Sequence, residues 1–223
     1  MSWFDEEMRP IITHEAAVLS ATLNESMAVA VAHARDDTRR YPPRQFPHAM
    51  PMMLRCAMRL ELERCGLPNG WELNGDSRLM GQLLLSNEEH ALDLRFLKER
   101  RRSYPGGVPS AGRNPARIAA WSSRDVPLPT LGASELDTPT ERQRTTVLWV
   151  WDLGGPLSDE HPAFTQRLVH TTSPGVYGRA VPCDLSLDLL PAGGIFDRLE
   201  FAGGDTDTDF FHVELDETAE DGD

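Results

Sequence analysis

In the stretch HAMPMMLRCAMRLELERC, one carboxylate falls where apolar side chains should be. Read as a helix at ~100° per residue, Met50, Met53, Leu54, Ala57, Met58, Leu60 and Cys65 share one side, with Arg55, Arg59 and Glu63 opposite. Glu61 lands near the middle of the apolar arc. A carboxylate there must be ion-paired, open to water at the helix end, or bound to a metal, because an unpaired buried charge is costly. Arg64 and Arg95 are the cations to consider as partners. A second stretch, RFLKERRRSYPGGVPSAGRNPAR at residues 95–117, gathers Lys98, Arg100, Arg101, Arg102, Arg113 and Arg117 on a Gly- and Pro-rich chain. Such a segment can follow a phosphate backbone while its loop residues adapt, so these six are the candidate nucleic-acid contacts. Tyr104 is the one aromatic interleaved with its loop arginines and so offered for base stacking. The competing reading is a solvated loop whose charge the rest of the fold balances.

These side chains need elements to hold them. Thr13 is placed to cap a helix starting near His14, with Glu15 in its first turn and Leu19, Leu23, Met27 and Val31 along one face. After the break TRRYPPRQFP, the Glu61 helix runs from about His48 to Cys65, stopped by Gly66 with Pro68 beyond. A short strand is expected at Trp71–Leu73. Two more flank a polar turn at Ser86–Glu89, and in the second of them Leu92, Leu94 and Phe96 alternate with Asp93, Arg95 and Leu97. NPARIAAW predicts a short helix, and SSRDVPLPTLGASELDTPTERQR a loop or mobile linker. TTVLWVWDL is apolar on both faces, as a strand covered on both sides requires. FTQRLVHTT and CDLSLDLL read as further strands, the latter with Leu185, Leu187 and Leu189 on one face, and DRLEFAGGDTDTDFFHVEL as a closing hairpin. Helices first and strands after predict an α+β fold: N-terminal helices followed by a mainly antiparallel or mixed sheet in a single domain. Within it, a basic, flexible segment is expected at 99–145 and a frayed acidic tail at 216–223.

A helix carrying a carboxylate, then three strands, a helix and another strand is an order that resembles the core of the PD-(D/E)xK nucleases, over residues 47–151. In that family an acid near the second strand, and an acid two residues before a lysine on the third, bind Mg²⁺ and position the attacking water. The resemblance assigns these roles to Asp76, which precedes MGQLLLS, and to Asp93 in Asp93-Leu94-Arg95, with Glu61 as the helix carboxylate. Glu61, Asp76 and Asp93 would be the metal set, Arg95 would stand for the lysine, and Mg²⁺ would serve as Lewis acid and water activator. Two departures mark the chain: no proline precedes Asp76, and a guanidinium stays protonated, so Arg95 cannot act as a base. Two acids and a cation on neighbouring strands are equally what an exposed hairpin face presents.

The 223 residues carry 35 acids against 22 bases, a formal net charge of −13. The imbalance is polarised: residues 95–125 hold eight bases and two acids, whereas residues 197–223 hold eleven acids and one arginine. Lys98 is the only lysine, a bias expected of a GC-rich genome and equally of a halophile, so arginine identity by itself does not argue for phosphate binding. Three cysteines with no CxxC spacing argue against a disulfide framework and fit a reducing cytoplasm. No apolar run reaches the ~18 residues that cross a bilayer, and the acidic start lacks a signal-peptide pattern. DTDTD at Asp205–Asp209 alternates acids as a calcium loop does, but Phe210 stands where an EF-hand needs glycine. The seven histidines form no metal-binding pair, and no serine has a nucleophile-elbow context. Two function classes remain. One is a nucleic-acid-associated protein, with or without a nuclease-like core; the other is a non-enzymatic acidic protein, of antitoxin, immunity or regulatory type, that meets a basic protein partner.

Overall fold

The computed structural model describes residues 4–68, 70–122, 144–154 and 164–198. A π-helical turn at Phe4–Met8 leads directly into α1, Arg9–Thr38. The helix therefore starts earlier than a Thr13 cap would place it. Pro10 lies in its first turn, where the missing amide costs nothing, and the Thr13 hydroxyl instead donates back to the Arg9 carbonyl at 2.8 Å. Leu19, Leu23, Met27 and Val31 are fully buried. The next helix, α2, runs Ala49–Cys65 and ends at Gly66, whose φ of +77° reverses the chain. Its buried arc is centred on Leu54, Met58 and Leu62. Leu60, two residues and so ~200° from Met58, points outward and is 66% exposed, unlike the sequence expectation.

Among the described residues seven strands follow: β1 Trp71–Asn74, β2 Leu84–Asn87, β3 Leu92–Lys98, β4 Thr145–Leu153, β5 Phe164–Thr171, β6 Cys183–Leu189 and β7 Ile195–Asp197. They form one sheet in chain order, antiparallel at every seam except β3–β4, which is parallel. A short helix, α3 (Pro115–Trp121), lies in that crossover, as a parallel connection demands. The fold is α+β with N-terminal helices and a mixed sheet.

The period-two alternation of the strands splits the interior into two cores. Leu85, Leu94, Phe96, Val147, Trp149, Leu168, Leu185 and Leu187 face α1 and α2. Leu148, Val150 and Val169 face the other way, under Tyr104, Val108, Ala111 and Trp121. β4 is thus covered on both sides, and Trp149 is fully buried with its indole N–H on Gln166 Oε1 at 2.9 Å. The three-residue β7 has no counterpart in the sequence pattern. The segment read as a linker, residues 122–144, lies outside the described residues except for its ends, Ser122 and Arg144. So do most of the expected closing hairpin, DTDTD and the acidic tail. Among the described residues no helix is long and apolar enough to cross a membrane.

Candidate nucleic-acid interface

The three carboxylates considered as a metal set each have a different partner. Glu61, 8% exposed, accepts from Arg64 Nη2 at 2.6 Å and Nε at 3.0 Å, and from the Cys65 thiol at 3.1 Å. The Arg64 guanidinium, aided by the Cys65 thiol, holds the Glu61 carboxyl down at about 2. Asp76, in the loop after β1, accepts from the Arg78 amide at 2.9 Å and its Nε at 3.1 Å, which lowers its pKa. Asp93 takes the Ser86 hydroxyl at 2.7 Å and Arg144 Nη2 at 2.7 Å. Strand alternation puts Asp93 on the face away from α2, so the sheet separates it from Glu61. Among the described residues no three His, Cys, Asp or Glu side chains are arranged to hold a metal. Glu61, Asp76 and Asp93 therefore do not fit a Mg²⁺ site as they stand, and no metal chemistry is derived from them.

The basic residues divide as well. Lys98 shares the helix-side face of the sheet, its ammonium 5.7 Å from the centre of the Trp151 ring. Arg101 is drawn into an ion network at the base of the loop, where its Nε lies 2.7 Å from Glu99 Oε2 and 3.5 Å from Asp152 Oδ2. The other Glu99 oxygen takes Arg167 Nε at 2.6 Å, and Arg167 also bonds Ser186 Oγ and the Gly106 carbonyl. Gly107, at φ +83°, is required here, since a Cβ would stand 2.7 Å from Glu99 Oε2. This network closes residues 100–107 into a fixed loop, with the Arg100 amide on the Gly107 carbonyl at 2.8 Å. Arg102 and Arg113 are exposed.

Arg95, Arg100 and Arg117 form the remaining group. Arg95 projects from β3 onto the α3 side of the sheet, half-buried, and burial alone pushes its pKa down. Arg117, from α3, packs its guanidinium 4.9 Å from the centre of the Trp121 ring and reaches the Ser110 carbonyl at 3.5 Å. Its Nε is buried with no acceptor among the described residues. Burial first, then the positive charges of Arg95 and Arg100, push the Arg117 pKa down. Among the described residues none of these three arginines forms a salt bridge. Like charges held together out of water raise one another's energy, and an anion placed among them relieves that cost. Asn114 begins α3 by accepting the Arg117 amide at 3.3 Å. Trp121 fixes the helix through its N–H on the Pro109 carbonyl at 2.9 Å.

The sequence pattern assigns Arg117 to the basic set but Arg95 to the metal-site set. Their convergence depends on the β3–α3 crossover, which no local pattern announces. Elsewhere, a cleft of about 370 Å³ is lined by Leu67, Pro68, Trp71, Glu72, Glu88 and Glu89. No protein-family model matches the chain, and no curated protein or solved structure matches it.

Proposed function

We propose that the chain binds nucleic acid on the α3 side of its sheet, with backbone phosphates received by Arg95, Arg100 and Arg117. One observation carries this reading: the half-buried Arg117 lies within electrostatic reach of the half-buried Arg95 and of Arg100, and among the described residues none of the three forms a salt bridge. Phosphate oxygens satisfy planar guanidinium donors in pairs, and a guanidinium held by Trp121 loses little further freedom on binding. The net charge of −13 does not forbid it. At ~0.15 M salt the Debye length is about 8 Å, so the charges nearest the site set the field there. The activity proposed is binding; the carboxylates are ion-paired and are given no catalytic part. A cytoplasmic setting fits the three free thiols of Cys56, Cys65 and Cys183.

The test is oligonucleotide titration across a salt series. Arg95→Gln with Arg117→Gln should weaken binding and lower the slope of log affinity against log salt by ~0.7–0.9 for each phosphate no longer neutralised. A parent protein that binds no oligonucleotide at low salt would sink the proposal. A second reading, a non-enzymatic protein that meets a basic partner, draws on the acid-lined cleft, whose Trp71 and Pro68 walls suit a long cationic side chain.

A further inference from the structure

Resting on that reading, we infer that the nucleic acid is single-stranded and that Tyr177 is its base-stacking platform. Tyr177 is 74% exposed, the most exposed aromatic among the described residues. It stands in the loop between β5 and β6, on a turn closed by the Arg179 amide on the Val176 carbonyl at 3.2 Å. Gly178, at φ +79°, occupies the third position of that turn, where a type II geometry calls for glycine. Val176 and Arg179 are exposed beside it.

The ring is held although it is exposed. Tyr104 meets it edge to face, with centroids 5.6 Å apart and planes at 79°. Tyr104 is itself buried, with its hydroxyl 3.0 Å from Ser110 Oγ. Ser110 in turn offers its carbonyl to Arg117, so one chain of interactions runs from the phosphate cradle to the exposed ring. The loop is fastened by the Ala111 amide on the Pro174 carbonyl at 2.9 Å, and by Val181 packed so close under Gly175 that a Cβ would come within 2.7 Å of it. Tyr104, the aromatic that the basic stretch offers, is therefore a support, and the stacking surface comes from a different loop.

Positive charge linked through such contacts to a fixed aromatic face suits an unpaired strand, because every base has a π-face to lay on it. A duplex keeps those faces stacked on each other and offers Tyr177 only its backbone. Arg95 and Arg117 are each only partly exposed, and a flexible strand can lower single phosphates onto them.

Fluorescence anisotropy on the full chain tests this, with labelled oligothymidylate and oligouridylate of about 12 nucleotides and a duplex of equal length. The single strands should bind more tightly than the duplex. Tyr177→Ala should weaken single-strand binding by roughly 5- to 150-fold and leave the salt slope and duplex binding unchanged. Tyr177→Phe should restore it. Because Tyr177 is on the surface, an unchanged urea midpoint should accompany both variants. Equal affinity for strand and duplex, with Tyr177→Ala silent, would overturn the inference; the arginine cradle would survive if Arg95→Gln with Arg117→Gln still weakened binding. Absence of binding to all three probes would overturn both.

Discussion

Arg64 follows Glu61 by three residues, so the helix itself delivers the cation that lets a carboxylate sit against the core. The consequence is a pH dependence of known sign. The Glu61 carboxyl is depressed from 4.5 to about 2 in the fold. Its contribution to stability is therefore complete above the unfolded value and lost as pH falls through the folded one. Asp76, also depressed by its arginine, adds in the same direction. Urea midpoints measured from pH 5 down to about pH 2 should fall less steeply for Glu61→Gln than for the parent. Parallel curves would mean that the Glu61 pair contributes nothing to folding. Glu61→Gln should leave any response of the midpoint to Mg²⁺ unchanged, since among the described residues no three such side chains are grouped to hold a metal. Glu61 and Arg64 are legible as a pair because one helix fixes their spacing. Asp93 with Arg144 and Glu99 with Arg167, separated by 51 and 68 positions, are not, because their meeting is a property of the sheet.

At the scale of elements, β4 carries the greatest burden. Val147, Trp149 and Trp151 fill one core while Leu148 and Val150 fill the other. Trp149→Ala should cost about 3–5 kcal/mol in chemical denaturation, through the packing removed and the cavity left behind. It would also strand Gln166, whose amide oxygen accepts the Trp149 N–H and whose NH₂ donates to the Leu23 carbonyl at 3.2 Å. A midpoint unchanged in that variant would show that the strand is not central. This strand, the buried face of α1 and the alternation of β6 are readable because periodicity tracks burial directly. Leu60 defeats the pattern because hydrophobicity alone does not reveal where the apolar arc of α2 is centred. β7 escapes because three residues show no period. The parallel β3–β4 seam escapes because alternation says which side chains share a face and nothing of which strand lies alongside.

At the scale of the whole chain, charge is separated along the sequence. Residues 205–223 contain nine acids and no lysine or arginine. Removing them should speed oligonucleotide association at low salt, with the gain vanishing near 1 M, where the Debye length falls to about 3 Å. If truncation instead abolishes capture of a basic peptide and leaves oligonucleotide binding flat, the acidic-partner reading prevails. The order of the strands has a kinetic consequence. Every seam but one joins antiparallel strands that are neighbours in the chain, so β1–β3 and β4–β7 can each assemble by short-range search. Only β3 and β4 must close over the long run between Glu99 and Arg144. Zipping that parallel seam is therefore expected to be the late event in folding. Arg95 belongs to the first of these meanders, Arg117 to the crossover and Tyr177 to the second, so the binding face comes into being in that same late step. A refolding chain should recover oligonucleotide binding in its slowest phase, with no partially assembled species able to compete for the strand.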